Sequence, residues 1–252
     1  SSPFLVGPGK EGHSFELHYK FLHKYRQEAI APTTYEDFLK LIEYNPSRKQ
    51  EIDELKQLEA YTVQLEMLIY LKIWESDFFI KRLYQITRLA LGDPYDWHFA
   101  LPKGSRDKKI TGSREAIIRK LVRDRLVKIY PSIAGSIKNA YSTQLRNSIA
   151  HSNYSFLSRH IHPNNYIAND KASQIRSLPF DDWISIFHET MILYSQVTRL
   201  FNEGHERYKT LALANKNLIQ IKQIPKESSN ITYNYLEYRP EFDDWRPARS
   251  KQ

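Results

Sequence analysis

One short run carries the side chains of an acid–base and anion-binding site: Arg146-Asn147-Ser148-Ile149-Ala150-His151. Arginine is a permanent, planar cation whose fork of N–H donors suits a phosphate. Histidine is the side chain best able to exchange a proton near neutral pH. Asparagine offers a donor and an acceptor, and so can orient a neighbour. On an ideal helix Asn147 and His151 share a face, and Arg146 lies about 100° behind Asn147. The three span an arc of roughly 140°, wide enough to line a cleft or a subunit interface.

Directly upstream lies most of the chain's excess charge. The formal net charge is +8 over 252 residues. Between Pro102 and Tyr130 ten basic residues stand against three acidic ones, a net charge of +7, so the rest is close to neutral. A concentrated positive field attracts polyanions and speeds encounter with them. The bland reading of the same residues is a solvated helix face joined to a lysine-rich loop.

The elements that must position these residues read as helices. A weakly amphipathic stretch covers His13 to Ile30. Thr33-Thr34-Tyr35-Glu36 forms a capping box that opens a short helix to about Tyr44. A long helical region follows from Arg48 to about Leu91, bent or broken somewhere along it. Its apolar residues, Leu58 and Leu65 among them, recur at three- and four-residue steps. Around Val63 to Trp74 the apolar residues reach nearly every side, as in a helix at the middle of a bundle. Gly92-Asp93-Pro94 ends it, and a loop runs to Gly112. Ser113 can cap a basic helix to Tyr130, and Pro131-Ser132 opens one helix through Ile137, Tyr141 and Leu145 that ends near His151. Phe156 to Ile161 and Ser173 to Leu178 partly alternate, which suggests a small hairpin or an irregular insertion. Another long helix starts at Pro179 and Asp181, and a tyrosine-rich tail could form a strand pair. The expected class is therefore all-α. An N-terminal helical extension is expected over 1–47, a helical bundle over 48–213 and a tail over 214–252.

Composition removes several chemistries. With no cysteine there is no disulfide framework, thiolate zinc site, iron–sulfur cluster or cysteine nucleophile. The longest apolar stretches, such as Met67 to Leu71, fall far short of the roughly 18–20 residues of a spanning helix. A soluble, cytoplasmic protein is expected, with no metal and no cofactor. His160-x-His162 could chelate a metal if it lies on a strand, but it lacks a nearby carboxylate and reads better as a loop feature. The tyrosines of the tail could stack on bases, with packing the plainer reading.

Arg146-Asn147 followed by His151 at a helix end, inside a helical domain, resembles the signature of the HEPN superfamily of ribonucleases. The segment from Ile69 to Glu75 and the helix start Phe180-Asp181-Asp182-Trp183 fit the general layout of such bundles, and the resemblance covers roughly residues 51–210. It implies metal-independent endonucleolytic cleavage of RNA at a composite site built from two copies of the motif in a homodimer. Arg146, Asn147 and His151 would be catalytic, and Lys108, Lys109, Arg119 and Arg123 would bind RNA. An acidic residue on an upstream helix assists in some members; Glu75 and Asp77 both qualify. The tyrosine that some members carry two residues past the histidine is replaced by Asn153, with Tyr154 next. Relatives of this kind act in phage defence, abortive infection or as toxins held by an antitoxin, so a regulatory protein partner is a further expectation. The alternative is a non-catalytic module of the same type that binds RNA or a protein.

Overall fold

Helices laid out by local signals are cut and joined by contacts from elsewhere in the chain. A computed structural model describes residues 35–96, 99–102, 113–223 and 231–248. The stretch His13 to Ile30 and the loop lysines Lys108 and Lys109 lie outside the described residues. The helices are α1 (Tyr35–Leu41), α2 (Lys49–Glu75), α3 (Asp77–Ala90), α4, α5 (Pro131–Ala140), α6 (Thr143–Ala150) and α7 (Phe180–Ala214). Helix α4 is assembled from Arg114–Ala116, a π-helical stretch Ile117–Arg123, and Asp124–Leu126. Strands β1 (Tyr154–Leu157), β2 (His160–Pro163) and β3 (Leu178–Pro179) form one antiparallel sheet. Strands β4 (Leu218–Gln223), β5 (Thr232–Arg239) and β6 (Asp244–Pro247) form another.

The all-α expectation is therefore overturned. Helix predominates, yet two three-stranded antiparallel sheets make this a mixed α and β architecture. The first hairpin is more local than the sequence suggested. Strands β1 and β2 meet across a two-residue turn, Ser158 and Arg159, both with positive φ (48° and 60°). That conformation matches the right-handed twist of the flanking strands, which is why it closes two-residue hairpins even without glycine. Asn164 to Ser177 then form no strand, and only Leu178 and Pro179 return to pair. The tail gains a third strand because Trp245 lies opposite Tyr238 and Asp244 opposite Arg239.

The described residues fall into two compact units, one built from 35–76 and 136–191, the other from 77–135 and 192–248. The first holds an aromatic core. Tyr70 meets Trp183 edge-on at 5.4 Å, and Trp74 meets Tyr141 at 4.9 Å. Each buried indole finds a partner: Trp183 Nε1 donates to Glu66 (2.9 Å), and Trp74 Nε1 to the Thr190 hydroxyl (3.3 Å). A wholly buried polar atom costs free energy unless paired, so these contacts also fix rotamers.

The turn residue Arg159 is tied into the same unit. Its guanidinium makes two 2.7 Å hydrogen bonds to the carboxylate of Glu59, a buried residue of α2, and a third at 3.1 Å to Asp181. Removing the cation leaves that carboxylate enclosed without a counter-charge. We expect Arg159→Met to lower unfolding stability by about 2 kcal/mol, less than for a fully buried pair because Arg159 keeps some solvent contact. Urea denaturation of both proteins measures it, and an unchanged midpoint would rule out a stabilising role for the pair.

In the second unit α3 packs on the π-helical stretch of α4, and the second sheet packs on the end of α7 through Ala212, Ile221, Tyr238 and Trp245. Asp243, at φ 50°, gathers the donors of this corner. It accepts hydrogen bonds from the Tyr238 hydroxyl and from Lys209 Nζ (3.1 Å), with His205 Nε2 at 3.6 Å. The Tyr238 hydrogen bond, then that of Lys209, holds the Asp243 carboxyl below the usual carboxylate range. A depressed folded-state value contributes stability that is present above the unfolded value of about 3.9 and is lost as pH falls through the folded one. Acid should therefore loosen this corner as pH drops below about 4. Tryptophan fluorescence followed through an acid titration should show a shallower loss in Asp243→Asn than in wild type; identical curves would assign the acid transition elsewhere.

Candidate functional site

The motif sits on α6, and three contacts define that short helix. Ser142 is its N-cap: φ −122° and ψ 119° take it out of the helix, and its hydroxyl accepts from the Leu145 N–H at 3.3 Å. The Tyr70 hydroxyl accepts from the Ser142 N–H at 3.0 Å and lies 3.5 Å from the Ser142 carbonyl. A buried phenol from α2 thus satisfies the backbone where α5 and α6 separate. Burial pushes the Tyr70 hydroxyl far above its ordinary pKa, so it serves as a neutral hydrogen-bonding group. The single helix expected from Ser132 to His151 is accordingly two helices.

Gln144, almost fully buried, clamps the loop beside α6. Its amide donates to the Ile175 carbonyl and accepts from the Ile175 N–H, each at 2.8 Å, while Asn165 donates to the Gln144 carbonyl at 2.9 Å. The far end of α6 closes in a Schellman arrangement. The Asn153 N–H reaches the Ser148 carbonyl (2.8 Å), the Ser152 N–H reaches the Ile149 carbonyl (3.1 Å), and Ser152 takes the left-handed φ of 50°. His151 is the capping residue of this turn, with its N–H on the Asn147 carbonyl at 3.1 Å. Its backbone is pinned and its side chain lies in solvent.

Arg146 is held from two directions. Nη1 lies 2.8 Å from Oε1 of Glu75, the last residue of α2, and Nη2 donates to Asn147 Oδ1 at 2.9 Å. The side chain is 21% exposed, and its Nε is buried without a hydrogen-bond partner. Of the two acidic residues that qualified, Glu75 meets the motif, whereas Asp77 pairs with Arg114. The break between α2 and α3 separates them. Ser76 takes extended dihedrals (φ −69°, ψ 113°), which ends α2 on Glu75 and starts α3 on Asp77.

The arrangement thus comprises a guanidinium with one carboxylate and one amide partner, and an exposed imidazole just past the next helical turn. That set can bind an anionic oxygen and exchange a proton. Tyr70 and Gln144 were not singled out from sequence. Tyr70 reads there as one more residue of an apolar helix, and only its depth in the fold makes its hydroxyl decisive.

The described part of the basic segment, 113–130, belongs to the other unit, and its arginines are paired. Arg119 Nη1 lies 2.6 Å from Glu115, and Arg123 Nη2 lies 2.7 Å from Asp124. Arg114 and Arg125 bind Asp77 and Asp93 at 2.5 and 2.6 Å. Glu115 and Asp124, which dilute this stretch in a charge count, are thus each spent on a particular arginine, while Lys120 and Lys128 project into solvent.

His160 and His162 do lie on a strand, β2, with rings 6.1 Å apart, and His160 Nδ1 contacts the Ser158 carbonyl at 2.7 Å. Among the described residues no group of three or more histidine, aspartate or glutamate side chains could hold a metal ion, and no helix is long and apolar enough to cross a membrane. No family model, curated protein or solved structure matches this chain.

Proposed function

We propose that the chain is a HEPN-type, metal-independent endoribonuclease whose site is Arg146, Asn147 and His151, with Glu75 as a positioning residue. The observation that carries this reading is a guanidinium braced by Glu75 and Asn147 on the same short helix that ends in an exposed, backbone-pinned histidine. In such a site the ribose 2′-hydroxyl attacks the adjacent phosphorus and the 5′-oxygen leaves. His151 moves the proton to or from the reacting oxygens. Arg146 offsets charge that builds on the phosphoryl oxygens, which is where electrostatic stabilisation contributes most. Asn147 holds one end of the guanidinium through its Oδ1. Exposure of His151 at a helix end also leaves it accessible to RNA and to a second copy of the motif, the homodimeric arrangement that the resemblance implies. A cytoplasmic role in phage defence or as a toxin under an antitoxin belongs to the same reading.

The test is direct. Purified protein should cleave single-stranded RNA in excess chelator, and Arg146→Ala or His151→Ala should stop it while circular dichroism stays unchanged. Cleavage surviving both substitutions would remove the site.

One observation favours the non-catalytic alternative. Arg146 has its two terminal nitrogens engaged and little of its surface in solvent, as befits a guanidinium that holds α6 to α2. That reading expects RNA retention without product, weakening steeply with salt. The same gel, run beside a filter-binding assay, separates the two.

A further inference from the structure

Helix α2 is apolar on two opposite faces, and only one of them is buried. Its inner face carries Val63, Met67, Tyr70 and Trp74, each at most 2% exposed. On the outer face Leu58, Tyr61, Leu65 and Leu68 are 61%, 66%, 47% and 52% exposed. Their steps of three, four and three residues are those of a helix–helix seam. At about 100° per residue they fall within an arc of roughly 80°. Glu54 extends the stripe one step before Leu58, and Lys72 one step after Leu68. A contiguous exposed apolar patch of this kind marks an interaction surface.

The order of residues along the stripe says what covers it. Read from either end about Val63, the stripe runs acid, Leu, Tyr, then Leu, Leu, base, with each position matched to one equally far on the other side. Laid antiparallel on a second copy of itself, Leu58 meets the second copy's Leu68, and Tyr61 meets its Leu65. Glu54 meets Lys72 at both ends. A two-fold contact has to be self-complementary in this way, because every pair occurs twice. In a parallel pairing the same residues would set carboxylate against carboxylate and ammonium against ammonium.

We infer that α2 is a dimerisation helix that packs antiparallel on α2 of a second copy of this chain. The inference does not rest on the ribonuclease reading. Such a seam sets the two Glu75–Arg146 pairs about 36 Å apart along its length, by the helical rise of 1.5 Å per residue. It is therefore a different contact from one that makes two motifs face each other.

Sedimentation of the full chain tests it. Wild type should associate in a concentration-dependent way, and Leu65→Glu should lose one two-fold step, falling to half the wild-type mass over the same range with unchanged circular dichroism. Glu54→Lys alone or Lys72→Glu alone creates a like-charged pair at each end and should weaken the dimer about tenfold. The double variant E54K/K72E should return it to the wild-type range. His151→Ala should leave it intact, which keeps this outcome separate from that of the cleavage assay. A monomeric wild type, as when another part of the same chain covers the stripe, would overturn the seam. So would an assembly mass that Leu65→Glu leaves unchanged, or single reversals that have no effect or that the double reversal fails to rescue.

Discussion

His151→Ala should lower the rate of RNA cleavage by about 10²–10⁴-fold, the usual contribution of a positioned general acid–base group. The ring is exposed, and the turn that carries it is closed by backbone hydrogen bonds alone, so the substitution removes chemistry and leaves architecture. Initial rates on a fluorogenic RNA in chelator, with thermal melts of both proteins, make the measurement; a melt shifted as far as the rate is lost would indicate a structural residue instead. Arg146→Ala should cost about 10²–10³-fold if the guanidinium stabilises developing charge. Arg146→Lys should not restore it, since an ammonium cannot serve Glu75 and Asn147 with two nitrogens in one plane. Glu75→Gln separates positioning from catalysis. It keeps the shape and weakens the hold on Arg146, so its effect should be smaller than that of either alanine variant. A full loss in Glu75→Gln would make the carboxylate a participant in the reaction.

Trp74→Ala should destabilise the protein by about 3–5 kcal/mol, the range for removing a large buried aromatic side chain. Trp74 has no exposed surface, packs at a tilt of 58° against Tyr141 just before the α5–α6 break, and donates its indole N–H to Thr190. The Thr190 hydroxyl is also 3.3 Å from the Ala140 carbonyl, the last residue of α5. Losing the indole therefore opens a cavity beneath the break and removes the donor to the Thr190 hydroxyl, which keeps its own bond to the Ile186 carbonyl. Because Trp74 directly precedes Glu75, the variant should also lose RNA cleavage at temperatures where it remains folded. Trp74→Phe, which keeps most of the volume, should cost less than half as much. Chemical denaturation of all three proteins checks the order; equal costs for alanine and phenylalanine would mean that the indole N–H, and not the volume, is what matters.

Several features were legible in the residues because their causes are local. Arg146, Asn147 and His151 are few in number, chemically distinct and close in sequence, and a helix end near His151 followed from the turn of pattern after it. The Ser113 cap was readable for the same reason: its hydroxyl accepts from the Ala116 N–H three residues on, at 3.1 Å. The resemblance narrowed the assisting acid to Glu75 or Asp77 without choosing between them. The choice was made by the break at Ser76, which puts the two carboxylates on different helices.

The helix break at Ser142 shows why other features stayed hidden. The apolar stripe through Ile137, Tyr141 and Leu145 continues in phase across it, so periodicity argues for one helix. The Ser142 cap competes with that continuation and wins because a phenol 72 residues earlier in the chain satisfies the exposed backbone. Helix α2 gives the same lesson in reverse. Leu58 and Leu65 looked like core by spacing, but the fold buries Val63, Met67 and Tyr70 on the opposite side. A helix apolar on two faces leaves its orientation to whatever packs against it. A small hairpin and a tail strand pair were anticipated, but not the third strand of either sheet, because strands of two to eight residues pair with partners across a turn or a loop and not with neighbours within one period.

By itself, then, the order of amino acids determined the motif, the Ser113 cap, most of the helices and the location of the excess charge, since each arises within one or two helical turns. Only the tertiary structure decided that Glu75 and not Asp77 meets Arg146, that Arg114 and Arg125 of α4 reach Asp77 and Asp93, and which face of α2 is left outside. Those outcomes depend on side chains tens of residues apart arriving at the same place, and no local pattern encodes such a distance.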